Sequence, residues 1–463
     1  MKIIIDNMIR IQQPSDPIIF YCRDYLTLRN PDYSRKVRRN LWTGNTPQNI
    51  FLYQKYGTDV IVPFGCLRDV LDRMSDTDDY VVRIPDAEKV DFKCTIPLYA
   101  YQQRAVGTMI EAQYGILQSP AGSGKTQMGL AIASIIGHRT LWLTHTLDLL
   151  EQSKERAEKY MDSTLIGVIA HGQVEVGEAI TFATVQTMNY LDLTQYKNVW
   201  DTIVVDECHR VVTSATSARM FAKVLNALSA RHKYGLSATV HRADGLIAAT
   251  FAMLGDVVHQ VSETEVAEKI TKVSIKPRTT SFNATYDILD TDGTIIYTKM
   301  INALANDYDR CEFILGDLIY NAEHYNLILS DRLAHLEYLM NSLPPDLREQ
   351  AVMIDGKMST KAGKESRKRA VEDLREGRKH YLFASYSLAR EGLDIPRLDR
   401  LFLTTPQKDY AVVAQSVGRI ARSFEGKREP VVYDYVDAKL QYLVRAYKKR
   451  CTTYRKLGCQ FLE

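Results

Sequence analysis

Ser119-Pro-Ala-Gly-Ser-Gly-Lys-Thr126 combines the residue types that hold a polyphosphate. Gly122 and Gly124 let the backbone curl its amides around phosphate oxygens, Lys125 can reach the β- and γ-phosphates, and Thr126 can offer a hydroxyl to Mg2+. The apolar run Tyr114 to Gln118 precedes this loop and a helix-forming segment, Gln127 to Ile136, follows it, so a helix N-terminus adds its partial positive charge. Ser119 stands where the strict GxxxxGK[ST] spacing has its first glycine. The metal of such a site needs a carboxylate from a neighbouring strand, and Thr202-Ile-Val-Val-Asp206-Glu207-Cys208-His209 supplies it. Asp206 is the Mg2+ candidate, and Glu207 the candidate for orienting or deprotonating an attacking water. An acidic pair after an apolar strand also reads as a helix N-cap with a first-turn acid. Its place behind a phosphate loop in one alternating pattern favours catalysis, with ATP and Mg2+ as cofactors.

A second constellation lies far along the chain, at Gln415-Ser-Val-Gly-Arg419-Ile-Ala-Arg422. Residues three or four apart share a helix face, so Gln415, Arg419 and Arg422 can project together toward a site across a cleft. A guanidinium presents a permanent charge and a fixed fork of donors to a γ-phosphate.

These residues need a scaffold of strands and helices in alternation. From Lys93 on, apolar runs alternate with helical segments: Tyr114 to Gln118, Thr140 to Thr144, Ile180 to Thr184, Thr202 to Val205 and Tyr234 to Ser237. A second series comprises Leu327 to Leu329, Ala351 to Ile354, Tyr381 to Ala384, Leu401 to Thr404 and Val431 to Tyr435. Such runs are buried parallel strands covered by helices on both faces. The expected fold class is α/β: two tandem doubly wound parallel-sheet domains, residues 93–268 and 269–463, behind a small α+β accessory domain, residues 1–92. Between the two sheets, Thr279 to Leu289 and Thr294 to Met300 alternate loosely around Asp290-Thr-Asp-Gly293, a hairpin signal that fits either a duplex-splitting pin or an ordinary edge hairpin.

The 463 residues, 45% apolar and 25% charged, are the composition of folded globular domains and exclude a single small module or a disordered chain. The apolar segment Gly129 to Ile136, broken only by Ser134, is far short of the ~18 residues that span a bilayer, and Asp6 interrupts the apolar start. Seven dispersed cysteines form no CxxC or Cys/His cluster and fit a reducing compartment, so a soluble cytoplasmic protein with no membrane partner is expected. Lys plus Arg (59) barely exceeds Asp plus Glu (56), yet basic residues concentrate in three stretches: Arg29 to Lys55, Lys357 to Lys379 and the tail from Lys439. The first interleaves Arg35, Lys36, Arg38 and Arg39 with Tyr33, Trp42, Phe51, Tyr53 and Tyr56. Each stretch alone reads equally as a solubilising face; three together point to nucleic acid.

From about Ile96 to Arg422 the chain resembles the superfamily 2 helicases. Tyr101 and Gln102 resemble the adenine-reading Q motif, Thr140 to Gln152 motif Ia, and Thr184-Val-Gln186-Thr187 motif Ic. Asp206 to His209 is a motif II of the DExH kind and Ser237-Ala-Thr239 a motif III. Ala384 to Pro396 resembles motif V, and Gln415 to Arg422 matches QxxGRxxR of motif VI. Gly235-Leu-Ser-Ala-Thr-Val-His-Arg242-Ala-Asp-Gly245 is close to an extension of XPB and UvsW-like DNA helicases, and these motif types point away from DEAD-box RNA helicases. Asn30 to Gly44 with Val62-Pro-Phe-Gly65 is similar to the accessory domain of phage UvsW-type branch-migration helicases; Trp42 and Phe64 equally fit the core of a small domain.

The resemblance implies two RecA-like domains and an ATP-dependent DNA helicase that moves 3′ to 5′ on forked or branched DNA in replication, recombination or repair. It implies catalytic Lys125, Asp206, Glu207, Gln415, Arg419 and Arg422, and nucleotide binding by Gln102, Gly122, Ser123, Gly124, Lys125, Thr126, Gly392 and Asp394, with Mg2+ on Thr126 and Asp206. It implies DNA contacts at Arg35, Lys36, Arg38, Arg39, Trp42, Thr146, Thr184, Gln186, Gly356 and Ser385. A monomer in the cytoplasm, that of the host if the chain is phage-encoded, is expected. An RNA-remodelling ATPase and a nucleotide-switched DNA-binding protein without strand separation are the alternatives.

Overall fold

The computed structural model describes residues 1–462 except 121, 211–214, 241–244, 268–270, 286–287, 291–292, 355–360, 391–394 and 423. The chain forms two compact units, Met1–Ser262 and Glu263–Glu463.

Unit 1 begins with β1 (Lys2–Ile5), β2 (Met8–Gln12), β3 (Thr27–Arg29), β4 (Asn49–Phe51), β5 (Gln54–Tyr56), β6 (Asp59–Pro63) and β7 (Asp79–Val82). Five of them form a sheet in the order β5-β6-β2-β1-β7, and β3 pairs with β4. Ile3, Ile5, Ile9 and Ile11 alternate with more exposed neighbours, so the two-residue period of a strand puts all four on one buried face. The acidic stretch Asp76 to Asp91, which reads as a domain rim, supplies β7 as an edge strand parallel to β1.

The motor sheet of unit 1 contains β8 (Tyr114–Gln118), β9 (Thr140–Thr144), β10 (Ile166–Ala170), β11 (Gln173–Val174), β12 (Ile180–Thr184), β13 (Thr202–Asp206), β14 (His232–Ser237) and β15 (Val257–Gln260). Their order is β11-β10-β12-β9-β13-β14-β8-β15, parallel except for the edge strand β11. The chain runs outward from β9 to β10 and β12 on one side and from β13 to β14 on the other, and doubly wound sheets bind ligands at the carboxyl ends of the strands near such a divergence.

The accessory sheet shares a core with this motor sheet. Val62, Phe64 and Cys66 pack in one cluster with Ala252, Leu254 and Ile116. A Cβ on Gly65 would lie 2.4 Å from the Gly255 nitrogen, so only glycine lets this turn approach the helix Ile247–Leu254. Asp6 accepts from Lys197 Nζ (2.7 Å) and Ser229 Oγ (2.6 Å) across the same seam.

Lys233 is buried there, donating to the carbonyls of Leu228 (3.1 Å), Leu225 (3.2 Å) and Asn7 (3.4 Å). Burial pushes its amine down to about 7, with Asp6 opposing. The unfolded chain, whose lysine titrates near 10.5, therefore takes up a proton between pH about 7 and about 10.5, so stability rises with pH across that window. Lys233→Met is expected to flatten the pH dependence of urea unfolding there by up to one proton; an unchanged slope would place the proton elsewhere.

Unit 2 contains β16 (Ser274–Thr279), β17 (Asn326–Ser330), β18 (Ala351–Ile354), β19 (Tyr381–Ser385), β20 (Arg400–Leu403), β21 (Val431–Val436) and β22 (Gln460–Phe461). They form an all-parallel sheet in the order β18-β19-β17-β20-β21-β16-β22. Leu327 and Leu329 pack on one face with Leu382 and Leu401, while Ile328 packs on the other with Phe383 and Phe402. Both faces are covered, which is why the strands read as unbroken apolar runs.

Two expectations change here. Among the described residues the hairpin around Gly293 is a short one, an antiparallel bridge between Leu289 and Ile295 flanked by hydrogen bonds from the Asp290 amide to the Thr294 carbonyl (2.8 Å) and from the Ile296 amide to the Ile288 carbonyl (2.8 Å), and Thr294 to Met300 is no strand, because a helix, Tyr297–Ala305, begins within it. Met300, Ile301, Leu304 and Ala305 recur at helical spacing and are buried together, which overrides the loose alternation. The basic tail is helical, Gln441–Lys456, but only part of it is a charged face. Lys448 and Lys449 are exposed, whereas Arg450 is buried against Asp434.

Candidate active site

The carboxyl ends of β8, β14 and β13 lie side by side. Gln118 pairs with Ser237 and Leu236 with Asp206, so the phosphate loop, Ser237 and the acidic pair leave the sheet at one level. Gly122 and Gly124 have φ of 83° and 82°, the left-handed region open to glycine, and the helix Lys125–Ile136 starts directly after them. Ser119 takes the place of a glycine without strain, because its φ is negative. Its hydroxyl instead braces the loop by donating to Ser123 Oγ (2.5 Å), which donates to the Pro120 carbonyl (2.7 Å). Lys125 Nζ donates to the carbonyls of Ser119 (3.3 Å) and Pro120 (3.4 Å), and lies 3.9 Å from Glu207 Oε1.

Asp206 is buried at the end of β13. Desolvation first, and then the charge of Glu207, push its carboxyl up to about 6, against the pull of Lys125. A buried carboxylate of this kind, with the half-buried Thr126 at the start of the helix that follows the phosphate loop, offers the oxygen donors that would hold Mg2+, which would offset the desolvation. Glu207 has a φ of 48°, a conformation that costs a non-glycine residue about 1 kcal/mol, and it carries the carboxylate toward Lys125.

His209 Nδ1 lies 2.8 Å from Ser237 Oγ and 3.4 Å from Glu207 Oε2. Ser237 donates to the Thr239 carbonyl (2.5 Å), so its oxygen is the acceptor for His209, whose Nδ1 carries the proton. Motif II is thereby hydrogen-bonded to motif III. Sequence patterns list both but do not show that they touch.

Gln102 holds the phosphate loop from behind. Its Nε2 donates to the Ser123 carbonyl (2.8 Å), as does the Tyr101 hydroxyl (2.9 Å), while its Oε1 accepts from the Tyr99 amide (2.8 Å). The loops after β9 and β12 form a second cluster. Thr146 and Thr184 cap the helices Leu147–Glu158 and Val185–Tyr190, with Thr184 buried, and exposed Gln186 joins the loops by donating to the His145 carbonyl (2.8 Å). The two threonine hydroxyls thus serve the backbone, and of these three side chains Gln186 is the exposed one.

In the accessory domain, Arg35, Lys36 and Arg38 lie on the helix Pro31–Arg38 and Arg39 caps it. Arg35 pairs with Asp32 (2.5 Å), Lys36 donates to Thr46 Oγ1 (2.7 Å) and Arg38 to the Ser34 carbonyl (3.3 Å), and Arg39 is exposed beside them. Phe64 is a core residue, but Trp42 is 87% exposed, its ring lying against Gly44.

In unit 2, Gln415 and Arg419 lie buried on the helix Tyr410–Ile420, while half-buried Arg422 falls beyond its cap, so helical spacing does not extend to the last motif residue. Ser385 caps the short helix after β19 and shares a hydrogen bond with Ser387 Oγ (2.8 Å). Gly356, Gly392 and Asp394 lie outside the described residues, as do Arg242 and Asp244.

A residue outside every motif joins motifs V and VI. Lys427 Nζ donates to the carbonyls of Pro396 (2.8 Å) and Arg422 (2.7 Å). Lys427→Met is expected to lower kcat of ATP hydrolysis several-fold with little change in KM, and Lys427→Arg to restore part of it. A variant that is folded and fully active would remove this positioning role.

A doubly wound sheet with a phosphate loop, an acidic pair and a hydroxyl relay at adjacent strand ends defines a nucleoside-triphosphate hydrolase. Residues 95–242 match the family of the type III restriction enzyme res subunit, and residues 288–424 match the helicase conserved C-terminal domain. L396 of Acanthamoeba polyphaga mimivirus, which carries the name of an ATP-dependent RNA helicase, is 26% identical over 80% of this chain and 72% of its own length. D10 of Escherichia phage T5, named as a helicase, is 26% identical over 74% of this chain and 72% of its own. The DNA 3′-5′ translocase XPB2 of Sulfurisphaera tokodaii is 34% identical over 40% of each chain. Yeast Dbp5 bound to RNA shares the fold at a TM-score of 0.56 and 18% identity, over 78% of this chain and 89% of that one. The structure of T4 UvsW aligns with 100% of this chain and 99% of its own at a TM-score of 0.43 and 18% identity. The chain is thus similar to superfamily 2 helicases, XPB-like and phage helicases among them.

Proposed function

We propose that the protein is an ATP-driven DNA helicase or translocase that moves 3′ to 5′ on forked or branched DNA. The observation that carries the ATPase reading is the placement of Glu207 beside Lys125 and buried Asp206. Lys125 and the loop amides hold the β- and γ-phosphates, Asp206 and Thr126 hold Mg2+, and Glu207 orients the attacking water and takes its proton. Arg419 and Arg422 meet the charge that develops on the γ-phosphate, and Gln415 helps to position them. The hydrogen bond from His209 to Ser237 passes loss of the γ-phosphate from motif II to motif III, and from there to the strand-holding loops after β9 and β12.

DNA is favoured by the XPB2 relative and by the cations of the helix Pro31–Arg38 beside exposed Trp42, Leu41 and Phe51. Cations position phosphates and aromatic faces stack on bases exposed at a fork. The L396 relative supports RNA as the second reading. Measuring ATPase stimulation with single-stranded, duplex, forked and four-way-junction DNA and with RNA separates them; the strongest stimulation by RNA would overturn the DNA assignment.

Affinity for duplex DNA is expected to fall with a log–log salt slope of about 0.9 per neutralised phosphate. Replacing Arg35, Lys36, Arg38 and Arg39 together by Gln should flatten that slope, and Trp42→Ala should weaken fork binding at every salt concentration. An unchanged slope returns this helix to a solvated face. Point substitutions suit this test better than removal of residues 1–92, because the accessory sheet shares its core with the motor sheet.

A further inference from the structure

At the edge of the motor sheet opposite the phosphate loop, three side chains from the entries of adjacent strands converge. His138 precedes β9, Asp201 precedes β13 and His232 opens β14. His138 Nδ1 lies 2.8 Å and His232 Nδ1 3.0 Å from one oxygen, Asp201 Oδ2. The candidate ligand atoms all fall within 4.8 Å of one another. The Asp201 side chain is 7% exposed, while the imidazoles keep edges of 18% and 14% in solvent. ATP hydrolysis at the carboxyl ends of these strands uses none of the three.

We propose that His138, Asp201 and His232 bind a divalent transition-metal cation, zinc by preference. Two imidazole nitrogens and one carboxylate oxygen are a donor set that zinc takes at ~2.0–2.2 Å. Donors already 2.8 and 3.0 Å from a shared oxygen need only open slightly to surround such an ion. Each neutral imidazole moves its proton to Nε2 and presents the Nδ1 lone pair, so coordination by neutral rings releases no proton. The fourth position, on the exposed side, goes to water. Mg2+ and Ca2+ prefer all-oxygen sites, which keeps this site apart from the one at Asp206.

The neighbours of the cluster indicate what the cation does. The segment leaving the accessory sheet rests on the same strand entries: Lys89 bridges to His138, the Val90 amide donates to the Gly137 carbonyl (2.9 Å), and Arg231 donates to the Ile84 carbonyl (3.2 Å) and pairs with Asp86. A cation held by His138 and His232 fastens the two edges on which this connector lies, and so staples the accessory sheet to the motor.

The test uses the full chain, free of any histidine tag, stripped with chelator and titrated with Co2+ alone. One equivalent should produce visible d–d absorption that Zn2+ abolishes, and Zn2+ should raise the melting midpoint by a few degrees. The His138→Gln/His232→Gln double variant should lose both signals. His138→Cys should keep Co2+ binding and add a thiolate-to-cobalt band in the near ultraviolet, a signature that a merely structural histidine pair would not give. No Co2+ absorption and no Zn2+ shift in the wild-type chain would overturn the proposal, as would equal binding by the folded double variant, which would place the ion elsewhere, for example on the cysteines. Absence of the thiolate band in folded His138→Cys would also overturn it.

Discussion

Glu207→Gln is expected to lower the rate of ATP hydrolysis by ~10²–10⁴, the range over which a positioned general base contributes, while ATP still binds. The amide keeps the shape of the side chain but cannot take a proton from water. The change also withdraws a negative charge from beside Asp206, one of the two causes that raise that carboxyl, so Mg2+ affinity should be retained. The folded variant should therefore accumulate with ATP bound and remain on nucleic acid. Lys125→Ala should fail differently, losing the ammonium that lies 3.9 Å from Glu207 and with it much of the affinity for triphosphate. Filter binding of nucleotide together with single-turnover hydrolysis separates the two failures. Near-normal turnover in Glu207→Gln would remove the residue from the mechanism and return Asp206 and Glu207 to a helix-entry role.

The second large effect concerns stability. Arg450 forms three hydrogen bonds of 2.7–3.0 Å with Asp434, both side chains are almost fully buried, and Arg450 also donates to the Gln407 carbonyl at 3.0 Å. The Tyr454 hydroxyl donates to the same carboxylate at 2.8 Å. Arg450→Met leaves Asp434 as a buried charge without its cation, a loss of ~3–5 kcal/mol, which for a unit of this size lowers the melting midpoint by on the order of 10 °C. Asp434→Leu in the same chain should recover much of it, because the pair together is worth far less than either charge left alone. Gln407 lies just ahead of the helix Tyr410–Ile420, so loosening it should also disturb the start of that helix. A calorimetric loss below about 1 kcal/mol would show that water reaches Asp434 and solvates it.

The sequence by itself determined much of the ATP site and the two parallel sheets. A phosphate loop is a local device whose glycines, lysine and hydroxyl lie within eight consecutive residues, and a strand covered on both faces must be apolar at every position. Each apolar run of the two alternating series is a parallel strand. The strands that escaped notice carry local signals that contradict their place. Gly167 interrupts β10, and β16 contains Pro277, tolerated because β22 pairs only with Ser274 and Ile275 and leaves that side of Pro277 open. The helix Tyr297–Ala305 was hidden behind a turn signal, and burial of its apolar stripe decided the matter.

Only the tertiary structure decided which polar groups meet. His209 and Ser237 are hydrogen-bonded because β13 and β14 are neighbours. His138, Asp201 and His232 converge for the same reason at the other edge. Two basic residues of similar appearance separate entirely: Lys449 faces water, and Arg450 turns inward to Asp434. Trp42 and Phe64, equally apolar in the sequence, part in the same way, one to the surface and one to the core shared with the motor sheet. Periodicity reports the face of an element, whereas the partner waiting on that face is set by sheet order, which no local pattern encodes.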